Sequence, residues 1–266
     1  MKVYVLADME GASYVVREQQ TEPGSREYEE ACLLLTRDVN AAVEGALEGG
    51  ASEVLVNDLH GARNGFNLVP EELHEEAKYV TGGPRPCRMA GLDRSFSLAF
   101  MIGYHAMAGT EGAVLDHTMA TRVIVNAYIK EKRVGEIGID AAILGYFEVP
   151  VGLVSGCRMA VEEAKNLLGR VETVVVKEGF SRNFAACLPP ARSRKLIRET
   201  AKMAVRNAED FKPFRINPPV TLRIEYSHPN YADIQCRTPG VERLDARTIV
   251  IRGDDLLEVM KRIGWY

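Results

Sequence analysis

Residues 3–10 of the chain read VYVLADME, five apolar residues followed by a segment that carries two acids. A short apolar run of this length predicts a buried β-strand at Val3–Ala7. Residues 28–46 then carry apolar side chains at helical spacing, and a glycine pair ends that pattern at Gly50. A second buried strand is predicted at Glu53–Asn57. Strand, helix and strand at this spacing predict a right-handed crossover between two parallel strands.

The same alternation continues outward from this first unit. Further strands are predicted at Leu98–Gly103, Arg122–Ile129, Val149–Ser155 and Val171–Val176, and helices at Ile137–Phe147 and Met159–Leu168. The pattern then changes to a polar helix at Ala191–Asp210, strands at Val220–Tyr226 and Thr248–Ile251, and a closing helix at Asp254–Ile263. The segments between 58 and 72 and between 130 and 133 are predicted to be a loop and a turn.

This order of elements predicts an α/β protein with a mainly parallel sheet sandwiched by helices and a smaller α+β C-terminal part. We place a soft boundary near residue 180, which divides the chain into 1–180 and 181–266. The two parts are also expected to be able to pack as one unit.

Composition excludes several classes of protein. The 266 residues are 46% hydrophobic and 26% charged, with a net charge of −4, which argues against disorder and against a nucleic-acid partner. The longest uncharged run, Ser95–Thr110, is too short and too polar to cross a bilayer, so no membrane partner is expected. The N-terminus lacks the features of a signal peptide, and the five scattered cysteines form no CxxC motif. We therefore expect a cytoplasmic protein.

Acids and histidines follow several of the predicted strands at the point where each strand ends. Asp8 and Glu10 come after the first strand, His60 after the second, and His105 after the strand at Leu98–Gly103. Because the carboxyl ends of parallel strands form the ligand crevice of an open α/β sheet, we expect these side chains to meet at one edge.

This residue set suits a metal better than any other ligand. The two carboxylates of an Asp-x-Glu segment point to the same side of an extended chain, and they would repel each other unless a cation lay between them. Carboxylate and imidazole ligands suit zinc or manganese, and two metals about 3.5–4 Å apart could share one carboxylate. The chain contains no phosphate-binding glycine motif and no GxSxG motif.

Each residue also has a simpler interpretation when it is taken alone. Asp8 could cap a turn, His60 could be a solvated loop histidine, and His105 could be a satisfied core group. Glu136 could be a favourable charge at a helix N-terminus, and the spacing around His117 is too loose to place it. The shared placement at strand ends favours the metal site over these separate interpretations.

Five ordered motifs resemble those of the bacterial D-aminopeptidase family, which comprises dinuclear zinc peptidases. They are Val5–Ala12 (VLADMEGA), Val56–His60 (VNDLH), Gly103–Ala106 (GYHA), Asp116–Met119 (DHTM) and Val134–Gly138 (VGEIG). The similarity covers nearly the whole chain, including Val149–Gly156. It departs at Cys157 and Arg158, where family members often carry acids, and this difference concerns the pocket or a subunit contact and not a metal ligand.

The resemblance implies a site, an activity and an assembly. Asp8 matches the bridging aspartate of the family, and the other metal ligands match Glu10, His60, His105 and Glu136. His117 matches the histidine with a catalytic role, as a base or nucleophile. We therefore expect two Zn²⁺ ions per subunit in the first 180 residues, cleavage of N-terminal amino acids, with D-residues expected, from short peptides or amides, and a ring-type homo-oligomer such as a decamer.

Two other functions remain open from the sequence. The same ligands could serve another dinuclear metallohydrolase, either a phosphoesterase or an amidase. A non-catalytic peptide-binding protein could also keep this fold.

Overall fold

Two β-sheets and six α-helices make up the computed structural model, which describes residues 1–266. The strands are β1 (Lys2–Ala7), β2 (Glu53–Asp58), β3 (Lys78–Val80), β4 (Phe96–Tyr104), β5 (Ile124–Ile129), β6 (Lys132–Val134), β7 (Val151–Cys157), β8 (Glu172–Ser181), β9 (Phe184–Cys187), β10 (Val220–Tyr226), β11 (Val241–Arg243) and β12 (Thr248–Gly253). The helices are α1 (Arg26–Gly49), α2 (Glu136–Tyr146), α3 (Arg158–Leu168), α4 (Pro190–Arg206), α5 (Pro229–Gln235) and α6 (Leu256–Lys261).

The larger sheet has seven strands in the order β3-β2-β1-β4-β7-β8-β9. All neighbours pair in parallel except β8 and β9, which form an antiparallel hairpin. The central strands β4 and β7 are buried at nearly every residue, as expected for strands covered by helices on both faces. The expected α/β fold is therefore confirmed.

Helix α1 shows how local sequence sets the ends of one element. The side chain of Ser25 accepts a hydrogen bond from the backbone N–H of Tyr28 at the start of the helix. Gly50 ends it with a φ of 108°, a left-handed conformation that glycine adopts without steric cost. The helix buries an apolar stripe and packs against α4, β1, β2 and β4.

The direction of the chain across the larger sheet reverses beside β1. From β1 the chain crosses to β2 on one side, whereas β4 pairs with the other side of β1, and β7 and β8 continue in that direction. Right-handed crossovers in opposite directions place α1 and α3 on opposite faces. The crevice at the carboxyl ends of β1 and β4 is therefore a topological switch point, the usual ligand site of such sheets.

The smaller sheet is antiparallel, with the order β11-β12-β10-β5-β6. Its strand β10 alternates buried and partly exposed residues, which is typical of a strand with one covered face. The predicted strand at Arg122–Ile129 exists as β5, but it belongs to this second sheet. The predicted turn at 130–133 is shorter than expected, because Lys132–Val134 forms β6.

The predicted division at residue 180 remains a prediction. The smaller sheet joins β5 and β6 from before that position with β10 to β12 from after it, and one continuous hydrophobic core includes residues of both parts. The polar helix predicted at Ala191–Asp210 ends at Arg206, and a short 3-10 helix follows at Ala208–Asp210. None of the helices is both long enough and apolar enough to cross a membrane.

Candidate metal centre

All six predicted site residues meet at the switch point of the larger sheet. Asp8 and Glu10 lie just after β1, His60 just after β2, His105 just after β4, His117 in the loop between β4 and β5, and Glu136 at the first position of α2. Three strand ends, one loop and one helix N-terminus thus deliver three carboxylates and three imidazoles to one place. All of these side chains are buried or nearly so.

Each histidine is held by a backbone carbonyl through one ring nitrogen. The pairs are His60 Nε2 with Thr21 O at 3.1 Å, His105 Nδ1 with Ala106 O at 3.0 Å, and His117 Nδ1 with Leu115 O at 3.0 Å. A carbonyl only accepts, so these nitrogens carry the proton in the neutral ring, and this assignment rests on the hydrogen-bond partners. The other nitrogen of each ring is then free to bind a cation, as in many metal-ligating histidines.

The free nitrogens of His60 and His105 face carboxylate oxygens. His60 Nδ1 lies 3.4 Å from Asp8 Oδ1 and 3.3 Å from Glu10 Oε2. His105 Nε2 lies 3.3 Å from Asp8 Oδ2 and 3.3 Å from Glu136 Oε1. Asp8 therefore turns one oxygen to each histidine, which is the arrangement of a bridging carboxylate.

His117 lies on the cavity side of His105. The two rings stack with centroids 3.9 Å apart, and His117 Nε2 lies 3.5 Å from Glu136 Oε1 and 4.0 Å from Glu10 Oε1. Its side chain is 10% exposed, whereas that of His105 is fully buried.

The donor set and its spacing fit two metal ions. Two groups of ligand atoms are compact enough to hold a cation: Asp8, Glu10 and His60 form one, and His105, His117 and Glu136 form the other. Asp8 Oδ2, Glu10 Oε2 and His105 Nε2 are buried without a hydrogen-bond partner. Two ligands of one tetrahedral zinc ion, each about 2.0–2.1 Å from it, lie about 3.3 Å apart, which matches the contacts described above.

The buried carboxylates of the cluster also favour positive charge nearby. Burial would raise the pKa of Asp8, but its contacts with His105 and His60 hold that pKa well below its ordinary value. Burial likewise opposes ionisation of Glu136, yet His105 and His117 lower its pKa to about 2. The pKa values of His60 and His105 are raised in turn by the carboxylates, against the opposing effect of burial. The carboxylates thus favour positive charge on these two imidazoles, the charge that metal cations would supply.

Close backbone contact brings β1 and β4 together at the site. A Cβ on Gly11 would lie 1.9 Å from Tyr104 O, and a Cβ on Gly103 would lie 2.1 Å from Asp8 O. Only glycine fits at these two points, so the segment after β1 can lie directly on the end of β4. This contact sets the distance between Asp8 and His105.

Lys177 fixes the same segment from the opposite side. It lies on β8 and is 1% exposed, and its ammonium group donates to the carbonyl oxygens of Glu10, Ala12 and Val15. The three donors of one ammonium group thereby satisfy three carbonyls of the loop that carries Glu10. Sequence reasoning missed Lys177, although a lysine within the apolar run of β8 is a signal that could have found it.

Arg88 supports Glu136 through a second buried network. Its Nη2 donates to Glu136 Oε2 at 3.2 Å and its Nε to Asp140 Oδ1 at 2.6 Å, while Tyr104 donates to Asp140 Oδ2 at 2.7 Å. Burial would lower the pKa of Arg88, but Asp140 and Glu136 hold it above its ordinary value. Sequence reasoning also missed these three residues. An aspartate in the apolar helix α2 was the one available signal.

A cavity of about 440 Å³ gives a small molecule access to the cluster. Asp8, Glu10, His60, His117 and Glu136 all line it, so both groups of ligands are reached from one side. A cavity of this size, with few apolar lining residues and two cation positions, suits hydrolysis of a small polar substrate.

Comparisons with known proteins agree with this chemistry. The family model of Peptidase M55, described as D-aminopeptidase, matches residues 1–264. A D-aminopeptidase from Bacillus subtilis (strain 168) is 37% identical over 260 residues, which are 97% of this chain and 93% of that protein. The solved structure of the Zn-dependent D-aminopeptidase DppA from Bacillus subtilis, described as a self-compartmentalizing protease, matches with a TM-score of 0.94 at 35% identity and covers 99% of this chain and 95% of that chain.

Proposed function

The chain belongs to the D-aminopeptidase family Peptidase M55, and from this premise we propose that it is a zinc-dependent aminopeptidase with two zinc ions per subunit. Its substrates would be short peptides or amides with an N-terminal D-amino acid. The resemblance expected from the five sequence motifs is confirmed by the family match.

One observation carries the proposal of two ions. Asp8 turns its two oxygens toward two different histidines, and each histidine also faces a second carboxylate, Glu10 or Glu136. We assign Asp8, Glu10 and His60 to one ion and Asp8, His105 and Glu136 to the other. The ions would polarise the scissile carbonyl and activate water for attack.

His117 is the residue that we assign to proton transfer. Its Nδ1 is committed to Leu115 O, so its Nε2 is free to take a proton from the attacking water and return it to the leaving amine. The side chain lines the cavity beside Glu10 and Glu136, whereas His105 is enclosed beneath it. Both rings leave Nε2 free, so it is the position of His117 at the cavity that favours it as the base and His105 as a ligand.

Hydrolysis of matched D- and L-aminoacyl p-nitroanilides tests the function directly. The protein is stripped with a chelator, dialysed, and assayed before and after zinc is restored, with p-nitrophenyl phosphate as a second substrate. We expect zinc-dependent release of p-nitroaniline, with D-aminoacyl substrates preferred. Phosphatase activity without peptidase activity would indicate a different metallohydrolase, and no turnover of any substrate by a zinc-loaded protein would indicate a binding protein.

We also propose that copies of this chain assemble into a ring-type homo-oligomer, such as a decamer, in the cytoplasm. The similarity to a self-compartmentalizing protease supports the assembly. The five cysteines form no disulfide, which is compatible with a reducing compartment.

A further inference from the structure

A second cavity, of about 390 Å³, adjoins the metal cavity on the His60 side. The two cavities share Leu59, His60, Gly61 and Arg88 as lining residues. A molecule held at the metal ligands can therefore extend past His60 into the second cavity.

The second cavity is cationic. Arg85 and Arg88 line it, and none of its lining side chains is an aspartate or a glutamate. In contrast, a third cavity of about 280 Å³ on the other side of His117 is lined by Glu18 and Glu22 as well as by arginines. The metal cavity thus has an acid-containing neighbour on one side and an acid-free neighbour on the other.

Arg85 has only neutral hydrogen-bond partners within the chain. Its guanidinium donates to Gly82 O at 3.2 Å, to Asn57 Oδ1 at 3.1 Å and to Asp58 O, all of which are neutral acceptors. The Asp58 carboxylate favours the charged form of Arg85 but forms no ion pair with its guanidinium. A partly buried cation with only neutral partners favours an anion beside it.

Two further donors face the same cavity. Arg88 is anchored through Nε and Nη2, and its Nη1 makes no hydrogen bond within the chain. The side-chain amide of Asn64 also makes none, and Asn64 is exposed at the cavity rim. Donors that have no partner within the chain suit a carboxylate, which accepts several hydrogen bonds at once.

We infer that this cavity, lined by Arg85, Arg88 and Asn64, binds the free C-terminal carboxylate of the peptide substrate. The inference rests on the proposed aminopeptidase function. A peptide residue spans at most about 3.6 Å, so a carboxylate one or two residues beyond the scissile bond lies within reach of a cavity that shares His60 with the metal site. The enzyme then favours peptides with a free C-terminal carboxylate over the matching amides.

Matched peptides test this specificity. D-Ala-D-Ala is compared with its C-terminal amide and with D-Ala-D-Glu amide, which carries a carboxylate on the side chain instead. We expect kcat/KM for the free acid to exceed that for the D-Ala-D-Ala amide by about 10- to 100-fold, the factor that one charge-assisted hydrogen bond supplies. We also expect D-Ala-D-Glu amide to react as slowly as the other amide.

Two variants test whether the preference for the free acid over the amide arises in this cavity. Arg85→Gln removes the cation that has only neutral hydrogen-bond partners, and Asn64→Asp adds a negative charge at an exposed position without changing side-chain shape. Both variants should raise KM for the free acid more than for the amide. The ratio of kcat/KM for the acid to kcat/KM for the amide should therefore fall, with zinc content unchanged. Asn207→Asp, an equally exposed change at the end of α4, is the matched control and should leave the ratio as it is.

The outcomes separate this inference from the proposed function. Equal kcat/KM for acid and amide in the zinc-loaded protein would overturn the carboxylate site and leave the aminopeptidase function standing. Fast cleavage of D-Ala-D-Glu amide alone would overturn the assignment to the peptide C-terminus. Failure of every peptide with full zinc would overturn the proposed function itself.

Discussion

His117 gives the sharpest prediction about a single residue. We expect His117→Ala to keep the fold and both metals while kcat falls by about 10²–10⁴-fold, the range of general acid–base catalysis. The measurements are steady-state kinetics and zinc content per chain. Loss of one zinc ion from the variant would instead make His117 a ligand in place of Glu136 or Glu10, and normal turnover at full occupancy would remove it from the mechanism.

Lys177 connects the rigidity of a loop to metal retention. Lys177→Met should weaken the ion held by Glu10, because three loop carbonyls lose their shared donor and the segment from Glu10 to Val15 is freed to move. Chelator titration should then release one zinc ion about 10- to 100-fold more readily than in the parent protein. Lys195→Met, at an exposed position on α4, is the control and should behave as the parent. Unaltered release of both ions from Lys177→Met would contradict this role.

The buried carboxyl group of Asp38 makes the stability of the folded protein depend on pH. Burial raises the pKa of Asp38 to about 6, from an ordinary value of about 3.9 in an unfolded chain. The folded state holds the proton more tightly, so the stabilising contribution is complete below about pH 4 and is lost as pH rises through about 6. The difference between the folded and unfolded pKa values corresponds to about 3 kcal/mol in the free energy of unfolding.

Asp38→Asn removes this titration and keeps an oxygen to accept from the Ser13 N–H, which lies 2.8 Å from Asp38 Oδ2. The Tm of the variant minus that of the parent should therefore increase between pH 4.5 and pH 7.5. A difference that does not change with pH would show that Asp38 has an ordinary pKa in the folded protein.

At the scale of elements, the contact between β1 and β4 sets the geometry of the site. Gly103 has a φ of 76°, and a Cβ there would also lie 2.1 Å from Asp8 O, so Gly103→Ala must push the two strands apart. Gly169 has a nearly equal φ of 73° with nothing near a Cβ, so Gly169→Ala measures the cost of backbone strain alone.

We expect Gly103→Ala to lower Tm more than Gly169→Ala and to lower zinc retention, which the control should keep. Thermal denaturation and metal analysis of the two purified variants give both quantities. Similar behaviour of the two variants would show that the strands can separate at this point without cost to the site.

At the scale of the whole molecule, self-association is the main prediction. The stretches at 211–214 and 263–266 look from the sequence like surfaces for packing between subunits, but Phe211 and Trp265 are only 3% and 6% exposed within the chain itself. The apolar pair that does reach the surface is Phe180 and Phe184 in the β8–β9 hairpin, 67% and 65% exposed, with ring centroids 5.6 Å apart. A second copy of the chain is the partner that we expect to cover it.

Light scattering should give a mass several times the chain mass of 29.4 kDa at micromolar concentration. Replacing both phenylalanines by serine should lower that mass, because full burial of one such side chain contributes about 1.5–3 kcal/mol. A parent protein near 29.4 kDa would contradict the assembly. An unchanged mass for the double variant would place the interface elsewhere.

Most elements of the fold and most residues of the site could be predicted from the sequence alone. Periodicity and strand length are local properties, so β1, α1, β2, β4 and β7 could be predicted from residues close together in the chain. Asp8, Glu10, His60 and His105 could be found because parallel strands gather their carboxyl ends at one edge, whereas Glu136 became a ligand candidate through the family resemblance. The role of His117 came only from the family resemblance, because no periodicity fixes a residue in a loop.

Strand pairing and the contacts that hold the site depend on residues that are far apart in the sequence, so they are visible only in the folded chain. The apolar pattern of β5 would suit a strand of either sheet, so it does not show which sheet the strand joins. In the structure β5 pairs with β10, whose residues lie nearly one hundred positions away in the sequence. Short elements such as β3 and β11 depend on their neighbours and leave no pattern of their own. Lys177 and Arg88 act through carbonyls and carboxylates that are distant in sequence, so their contacts, and the cavity between Arg85 and the metal ligands, exist only after the chain has packed.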